Sequence, residues 1–184
     1  MTLEEVLEQA RALYPEMGEL NPETARTWAK RDMWPRALKQ VGQGQGKGRV
    51  GIYPDDSPAE LATAAYLQAL RYRQAEIAQA REWYLEGIPA GEPVARALIG
   101  GEQALGRRER DLLNCLRLYA RTLILHRAGR CAIWPFGEFR TAVLEAGRVR
   151  YIVSLPGVWR DPRHEGEAEL DRADSIVRDI HGDD

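Results

Sequence analysis

The residues with the clearest chemical potential are a group of cations in the first third of the chain. Residues 22–53 carry seven basic side chains and two acidic ones, and all three lysines of the protein lie among them. The flanking residues 1–21 and 161–184 have net charges of −4 and −6, and the whole chain has −2. A basic patch on an otherwise acidic protein is typical of nucleic-acid binding. The alternative is that an arginine-rich chain contains such a window without any partner.

Two short predicted helices would position these cations. A helix over residues 2–14 begins with the pattern of a capping box, in which Thr2 is followed three residues later by Glu5. A second helix is predicted over residues 21–33, because Asn21-Pro22 supplies a cap and a first-turn proline. Two helices separated by a brief turn predict a helix-turn-helix.

A glycine-rich segment follows the second helix. Residues 42–53 alternate glycine with glutamine, lysine and arginine, a composition that cannot build a core. The segment can form a β-hairpin whose backbone passes close to a phosphate surface, and a flexible linker is the alternative. It is not a phosphate-binding P-loop, because Lys47 is followed by Gly48 instead of serine or threonine.

The stretch from Asn21 to Pro35 resembles the recognition helix of the MerR-like winged helices. That family has a cap residue, then T-x-R-x-[YW], a charged stretch, two apolar residues and proline. The matching positions are Thr24, Arg26, Trp28, Met33, Trp34 and Pro35. The resemblance covers residues 5–75 and departs from the family at Gly51, where an arginine is usual. The turn before the second helix and the wing are also longer than in the family.

The resemblance implies a DNA-binding domain in which the helix over residues 21–33 reads the major groove. The wing over residues 42–53 then contacts the sugar-phosphate backbone. Trp28 either packs beneath the helix or lies along the backbone of the DNA. The predicted DNA-binding residues are Thr24, Arg26, Thr27, Trp28, Lys30, Arg31, Arg36, Lys47 and Arg49.

The rest of the chain predicts helices and one hairpin. Helices are expected over residues 57–86 and 102–128, and the second has an apolar stripe that suits either a core or a partner protein. Residues 139–144 and 149–153 predict a β-hairpin, with a short helix over 139–146 as the alternative.

The predicted fold class is therefore mainly α, with an N-terminal winged helix-turn-helix, a helical region and a small β-hairpin near the C-terminus. We predict a DNA-binding domain over residues 1–75 and a helical dimerisation or effector region over 76–160. An acidic, partly disordered tail is predicted over 161–184.

An enzyme is not expected. Histidines 126, 164 and 181 are scattered, and no nucleophile stands beside them at a spacing that indicates catalysis. Cys115 and Cys131 lack paired metal-ligand spacing, so we expect buried thiols and neither a metal nor another cofactor. No apolar run is long enough to cross a membrane, and the first residues are acidic, unlike a secretion signal. We expect a cytoplasmic protein.

Three hypotheses for function remain open at this point. The first is a sequence-specific protein that binds double-stranded DNA, most simply a homodimeric transcriptional regulator. The second is an accessory or architectural DNA-binding protein of the phage, recombination or replication type. The third is a helical protein–protein interaction module with no nucleic-acid role, in which residues 22–53 only form a basic face. A protein partner through residues 102–128 is also possible.

Overall fold

A computed structural model describes residues 1–14, 20–42, 48–100, 105–127, 139–155 and 158–159. The chain is divided into two compact units, Met1–Arg81 and Glu82–Asp184. The described ranges are mainly helical, and their strands form antiparallel pairs. The helices are α1 Leu3–Leu13, α2 Pro22–Lys30, α3 Ser57–Ala69, α4 Gln74–Glu86, α5 Pro93–Gly100 and α6 Arg107–Arg127. The strands are β1 Lys39–Gly42, β2 Arg49–Ile52, β3 Ile88–Pro89, β4 Phe139–Glu145, β5 Arg148–Leu155 and β6 Val158–Trp159.

The starts of α1 and α2 follow from local capping. The Thr2 hydroxyl accepts a hydrogen bond from the Glu5 amide at 3.3 Å, and the Glu5 carboxylate accepts one from the Thr2 amide at 2.7 Å. These two bonds complete the predicted capping box and lower the pKa of Glu5. At α2, the Asn21 side chain accepts from the Thr24 amide at 2.8 Å, and Pro22 occupies the first turn.

The end of α2 differs from the prediction. The helix ends at Lys30 instead of Met33 because Asp32 adopts a left-handed conformation with φ 59°. The amides of Asp32 and Met33 donate back to the carbonyls of Ala29 and Trp28, the two bonds of a Schellman motif. The chain therefore turns beneath the helix, and Met33 is fully buried.

The helix predicted over residues 57–86 is in fact two helices, α3 and α4. The same motif ends α3, because Arg71 has φ 67° and the amides of Arg71 and Tyr72 donate to the carbonyls of Gln68 and Leu67. Glycine is the usual residue at a left-handed position of this kind. Because an arginine occupies it here, the sequence does not indicate that α3 ends.

The core of the first unit connects α2 to the β1–β2 hairpin through Trp34. Its indole Nε1 donates to the Ala25 carbonyl of α2 at 2.7 Å, and its ring stacks on Tyr53 with a centroid distance of 5.2 Å. The Tyr53 amide donates to the Met1 carbonyl at 2.8 Å. The N-terminus, α2 and the hairpin are thereby fixed together. Helix α1 packs mainly against α3.

An ion pair joins α3 to α4 in the same unit. The Arg81 Nε lies 3.1 Å from the Glu60 Oε2, and the side chains are 18% and 1% exposed. This is a nearly dry contact, so the removal of either charge is costly.

The second unit contains the predicted hairpin, as β4 and β5. Their register runs from Phe139 opposite Ser154 to Glu145 opposite Arg148. Ala146 and Gly147 form the turn with φ 48° and 75°, the geometry that matches strand twist in a two-residue hairpin loop. The prediction of a hairpin is confirmed, and the alternative of a helix over 139–146 is wrong.

Helix α6 gives the second unit most of its helical core. It begins at Arg107, whereas the sequence predicted a start at residue 102. Tyr119 of this helix is fully buried and lies 5.5 Å from the Tyr84 ring. The apolar face is buried at Leu113, Leu116, Tyr119, Ala120, Leu123 and Ile124. Of the two interpretations of this stripe, core or partner surface, the burial of these residues favours core.

Candidate functional site

The first unit contains a cleft of about 520 Å³. Its walls come from the start of α1, from α2, from the connection between α2 and β1, and from the hairpin. The lining residues are Thr2, Leu3, Glu4, Pro22, Arg26, Ala29, Lys30, Arg36, Ala37, Gln40, Arg49, Val50, Gly51 and Tyr53. Four of these are cations and one is an acid, so we call this site the cationic cleft.

Helix α2 contributes Arg26 and Lys30 to the cationic cleft. They are four residues apart and therefore lie on the same side of the helix. Both are exposed, because the small residues Ala25 and Ala29 face the core instead. Arg26 lies 3.5 Å from Glu23, but both side chains are more than half exposed and the pair is weak.

Arg36 reaches the cleft from the connection after α2. Its Nε and Nη2 donate at 3.3 Å to the carbonyls of Ala29 and Lys30, which are the last carbonyls of the helix. A cation there complements the helix dipole. The Arg36 Nη2 also lies 2.7 Å from the Asp32 Oδ1 and forms an ion pair with it. Arg36 is therefore held in place by the end of α2, and its charge is partly offset.

The face of the β1–β2 hairpin that lines the cleft carries few side chains. Gln40 lies opposite Gly51, and Gly42 opposite Arg49, so these four residues share one face of the strand pair. Because two of the four are glycines, Gln40 and Arg49 are the only side chains of this group. A Cβ at Gly51 would lie 3.1 Å from the Ala37 Cβ and 3.3 Å from the Tyr53 ring.

Tyr53 is one of the residues that line the cationic cleft. Its side chain is buried, which raises the pKa of the hydroxyl, while the charge of Arg26 acts in the opposite direction. The hydroxyl stays protonated at neutral pH and can donate a hydrogen bond within the cleft. A polyanion entering the cleft would meet cations on both walls and this neutral donor.

The structure brings together four of the predicted DNA-binding residues and leaves others apart. Those in the cationic cleft are Arg26, Lys30, Arg36 and Arg49. Thr24 and Thr27 are half-buried and do not line the cleft, and the Thr24 amide is already bonded to the Asn21 cap. Arg31 also lies outside the cleft and donates to the Gln74 side chain.

Trp28 requires a correction. It is 8% exposed and packs beneath α2, so it cannot lie along a DNA backbone as one of the two predicted arrangements required. Lys47 lies outside the described residues.

Four polar residues of the cleft were not among the predicted binding residues: Thr2, Glu4, Gln40 and Tyr53. Gln40 was recoverable in part, because it lies two residues before the glycine that begins the predicted wing. Glu4 had no such indication, because its position depends on how the N-terminus pairs with Tyr53.

Comparison of the chain with models of known protein families, with characterised proteins and with solved structures gives no match. In the ranges that the structure describes, no group of three or more histidine, cysteine, aspartate or glutamate residues is placed to hold a metal ion. Cys115 is a buried cysteine. None of the helices in those ranges combines the length and apolarity needed to cross a bilayer.

Proposed function

We propose that the first unit is a winged helix-turn-helix that binds double-stranded DNA. Helix α2 enters the major groove, and the β1–β2 hairpin is the wing that lies on the sugar-phosphate backbone. The order of elements α1, α2, β1, β2 and α3 supports this assignment. The resemblance of residues 21–35 to MerR-like recognition helices points the same way.

The observation that carries the proposal is the convergence of four cations on one cleft. Arg26 and Lys30 come from α2, Arg36 from the connection and Arg49 from β2, and only Glu4 opposes them in the lining. Lining cations repel one another, and a polyanion relieves that repulsion. If each cation neutralises one phosphate, the affinity for duplex DNA falls with salt with a log–log slope of about −3.6.

In this proposal, α2 contacts the bases. Arg26 has the planar guanidinium fork that matches the acceptors of guanine in the major groove. Its only salt-bridge partner among the described residues is the exposed Glu23, so the side chain can leave that pair at little cost. Lys30 and Arg49 act as phosphate contacts, which position the protein without selecting a sequence.

Fluorescence anisotropy with a labelled 30-base-pair duplex tests the proposal. The double variant Lys30→Gln, Arg49→Gln should bind at least tenfold more weakly, with a salt slope smaller in magnitude by about 1.8. The matched control, Lys39→Gln with Arg73→Gln, removes two exposed cations of the same unit that do not line the cleft. Equal losses in the two double variants, or no duplex binding by the native chain, would contradict the proposal.

A regulatory role is the simplest use of sequence-specific binding, and we propose a homodimer. One such module has an interface of about 600–1,000 Å², which favours a second copy for tight binding. Sedimentation with and without DNA measures the number of copies. Sequencing of genomic fragments retained by the protein separates the two DNA-binding roles: sites confined to promoters support regulation, whereas dispersed sites with DNA bending favour an architectural role.

A further inference from the structure

Arg36 has more acceptors around its guanidinium than the other arginine at the end of the cationic cleft formed by α2. They are the carbonyls of Ala29 and Lys30, each at 3.3 Å, and the Asp32 Oδ1 at 2.7 Å. These three acceptors use the Nε–H and both N–H groups of Nη2. A guanidinium has five N–H groups, and the two on Nη1 have no partner among the residues that the structure describes. Arg36 is therefore anchored along one edge and keeps two donors for a ligand.

Arg26 is the cleft arginine without such anchoring. Among the described residues its one hydrogen-bond and ion-pair partner is Glu23, at 3.5 Å. An exposed pair of this kind is weak, so the Arg26 side chain keeps most of its rotamer freedom. A phosphate that binds Arg26 has to order this side chain, whereas the contacts of Arg36 order it before any ligand arrives.

The carboxylate of Asp32 is not required by the turn in which it lies. Asp32 has φ 59°, a left-handed conformation that glycine adopts at the lowest cost. Its amide donates to the Ala29 carbonyl in the Schellman motif, a bond that a glycine would also make. The side chain forms an ion pair with Arg36, and Asp32 itself does not line the cleft. The carboxylate therefore holds Arg36 from outside the site.

We propose that Asp32 is a positioning residue for DNA binding, which holds Arg36 so that its Nη1 edge binds one phosphate of the duplex. The inference rests on the proposed function, because that phosphate belongs to the DNA in the cationic cleft. Charge-assisted hydrogen bonds from a guanidinium to phosphate are strong. A side chain that is ordered in advance loses less conformational entropy when the ligand binds. Asp32 therefore favours binding although its own charge repels DNA.

The sign of the effect separates positioning from simple repulsion. An acid near a phosphate site repels the ligand, so the removal of such an acid should tighten binding. The removal of a positioning acid should weaken binding, because the ligand then has to order Arg36. Glu23 is the matched acid: like Asp32 it is exposed, pairs with one cleft arginine and does not line the cleft.

The test compares Asp32→Gly with Glu23→Ala in the full chain. Each substitution removes one carboxylate. Glycine suits φ 59° and alanine suits a helix, so both variants should fold, which thermal unfolding verifies. Fluorescence anisotropy is measured with a labelled 30-base-pair duplex. Asp32→Gly should bind about threefold more weakly than the native chain, whereas Glu23→Ala should bind as tightly as the native chain or more tightly.

A double-mutant cycle assigns the effect to Arg36. Arg36→Gln should bind about fivefold more weakly, with a salt slope smaller in magnitude by about 0.9. In that background Asp32→Gly should cause no further loss, because the side chain that it positions is no longer an arginine. A role of Asp32 in the fold alone would instead give the same loss in both backgrounds.

The inference is overturned if Asp32→Gly binds as tightly as the native chain or more tightly, or if its loss is equal in the native and Arg36→Gln backgrounds. The cleft variant Lys30→Gln, Arg49→Gln is measured in parallel. A loss in the cleft variant without a loss in Asp32→Gly supports the proposed function and overturns the inference. A loss in Asp32→Gly that depends on Arg36, with normal binding by the cleft variant, supports the inference and contradicts the proposed use of α2 and the wing. If the native chain binds no duplex, both proposals fall.

Discussion

Arginine has opposite roles at the α3–α4 junction and in the cationic cleft. At the junction, Arg81 is 18% exposed and lies 3.1 Å from the buried Glu60 carboxylate. In the cleft, Arg26 is about half exposed and its partner Glu23 is more exposed still. The degree of burial and the distance to a carboxylate therefore separate a structural arginine from one available to a ligand. Residue type and local charge do not.

The largest effect is expected at the junction. Arg81→Met leaves the Glu60 carboxylate buried without its counter-charge, which should lower the free energy of unfolding by about 3 kcal/mol. Urea denaturation at pH 7 measures the loss. Arg73→Met is the control, because its guanidinium is 86% exposed and lies 4.0 Å from Glu76. A loss at Arg81 no larger than at Arg73 would remove the distinction between the two kinds of arginine.

In the cleft, Arg49→Gln should leave stability within about 0.5 kcal/mol of the native value, because exposed substitutions seldom cost more. Duplex binding should weaken about fivefold, with a salt slope smaller in magnitude by about 0.9. Denaturation and anisotropy on the same samples check both parts. A variant that unfolds easily but binds normally would place Arg49 with the structural arginines.

The helix that carries two of the cleft cations can be weakened from its start. Asn21→Ala removes the acceptor for the Thr24 amide and should cost about 1 kcal/mol of unfolding free energy. Asn21→Asp keeps that acceptor and is the matched control. The urea denaturation midpoints of the native protein and the two variants measure this cost. Equal midpoints for Asn21→Ala and Asn21→Asp would mean that the cap contributes nothing to stability.

The smallest effect concerns His126, a buried side chain of α6. Burial lowers the pKa of His126 below its ordinary 6.5, so the folded chain binds its proton less readily than the unfolded chain. Stability should therefore fall as the pH drops below 6.5 towards the lower folded-state pKa. The slope of unfolding free energy against pH in this range should be shallower in His126→Gln. Identical slopes would show that His126 does not titrate differently on folding.

Local chemistry made several elements predictable from the sequence. Thr2 with Glu5 and Asn21 with Pro22 determine helix starts within one turn, and the structure has both starts where the residues predict them. The β4–β5 hairpin was predictable for the same reason, because Ala146-Gly147 and the flanking residues act within a few positions of one another.

The ends of α2 and α3 were not predictable, because non-glycine residues adopt the left-handed geometry there. Asp32 and Arg71 have positive φ, and neither residue type indicates a helix end in the sequence as glycine does. The Glu60–Arg81 ion pair, formed between residues 21 positions apart, joins α4 to α3 across this break.

The sequence indicated which types of residue line the cleft, but not which individual residues. The basic window contained Arg26, Lys30, Arg36 and Arg49, yet it also contained Arg31 and Lys39, which do not line the cleft. The difference depends on which way the chain turns after α2 and on which strand face meets the helix. Trp28 had the same ambiguity, since an aromatic residue suits a core as well as a surface.

The glycine at position 42 gives experimental access to the cleft. A Cβ there would have no atom within 4 Å, and the residue shares its strand face with Arg49. A cysteine at this point would accept a nitroxide or a fluorophore beside the cations without displacing a neighbour. With Cys115 buried and Cys131 replaced by serine, such a reporter would follow occupancy of the cleft in real time.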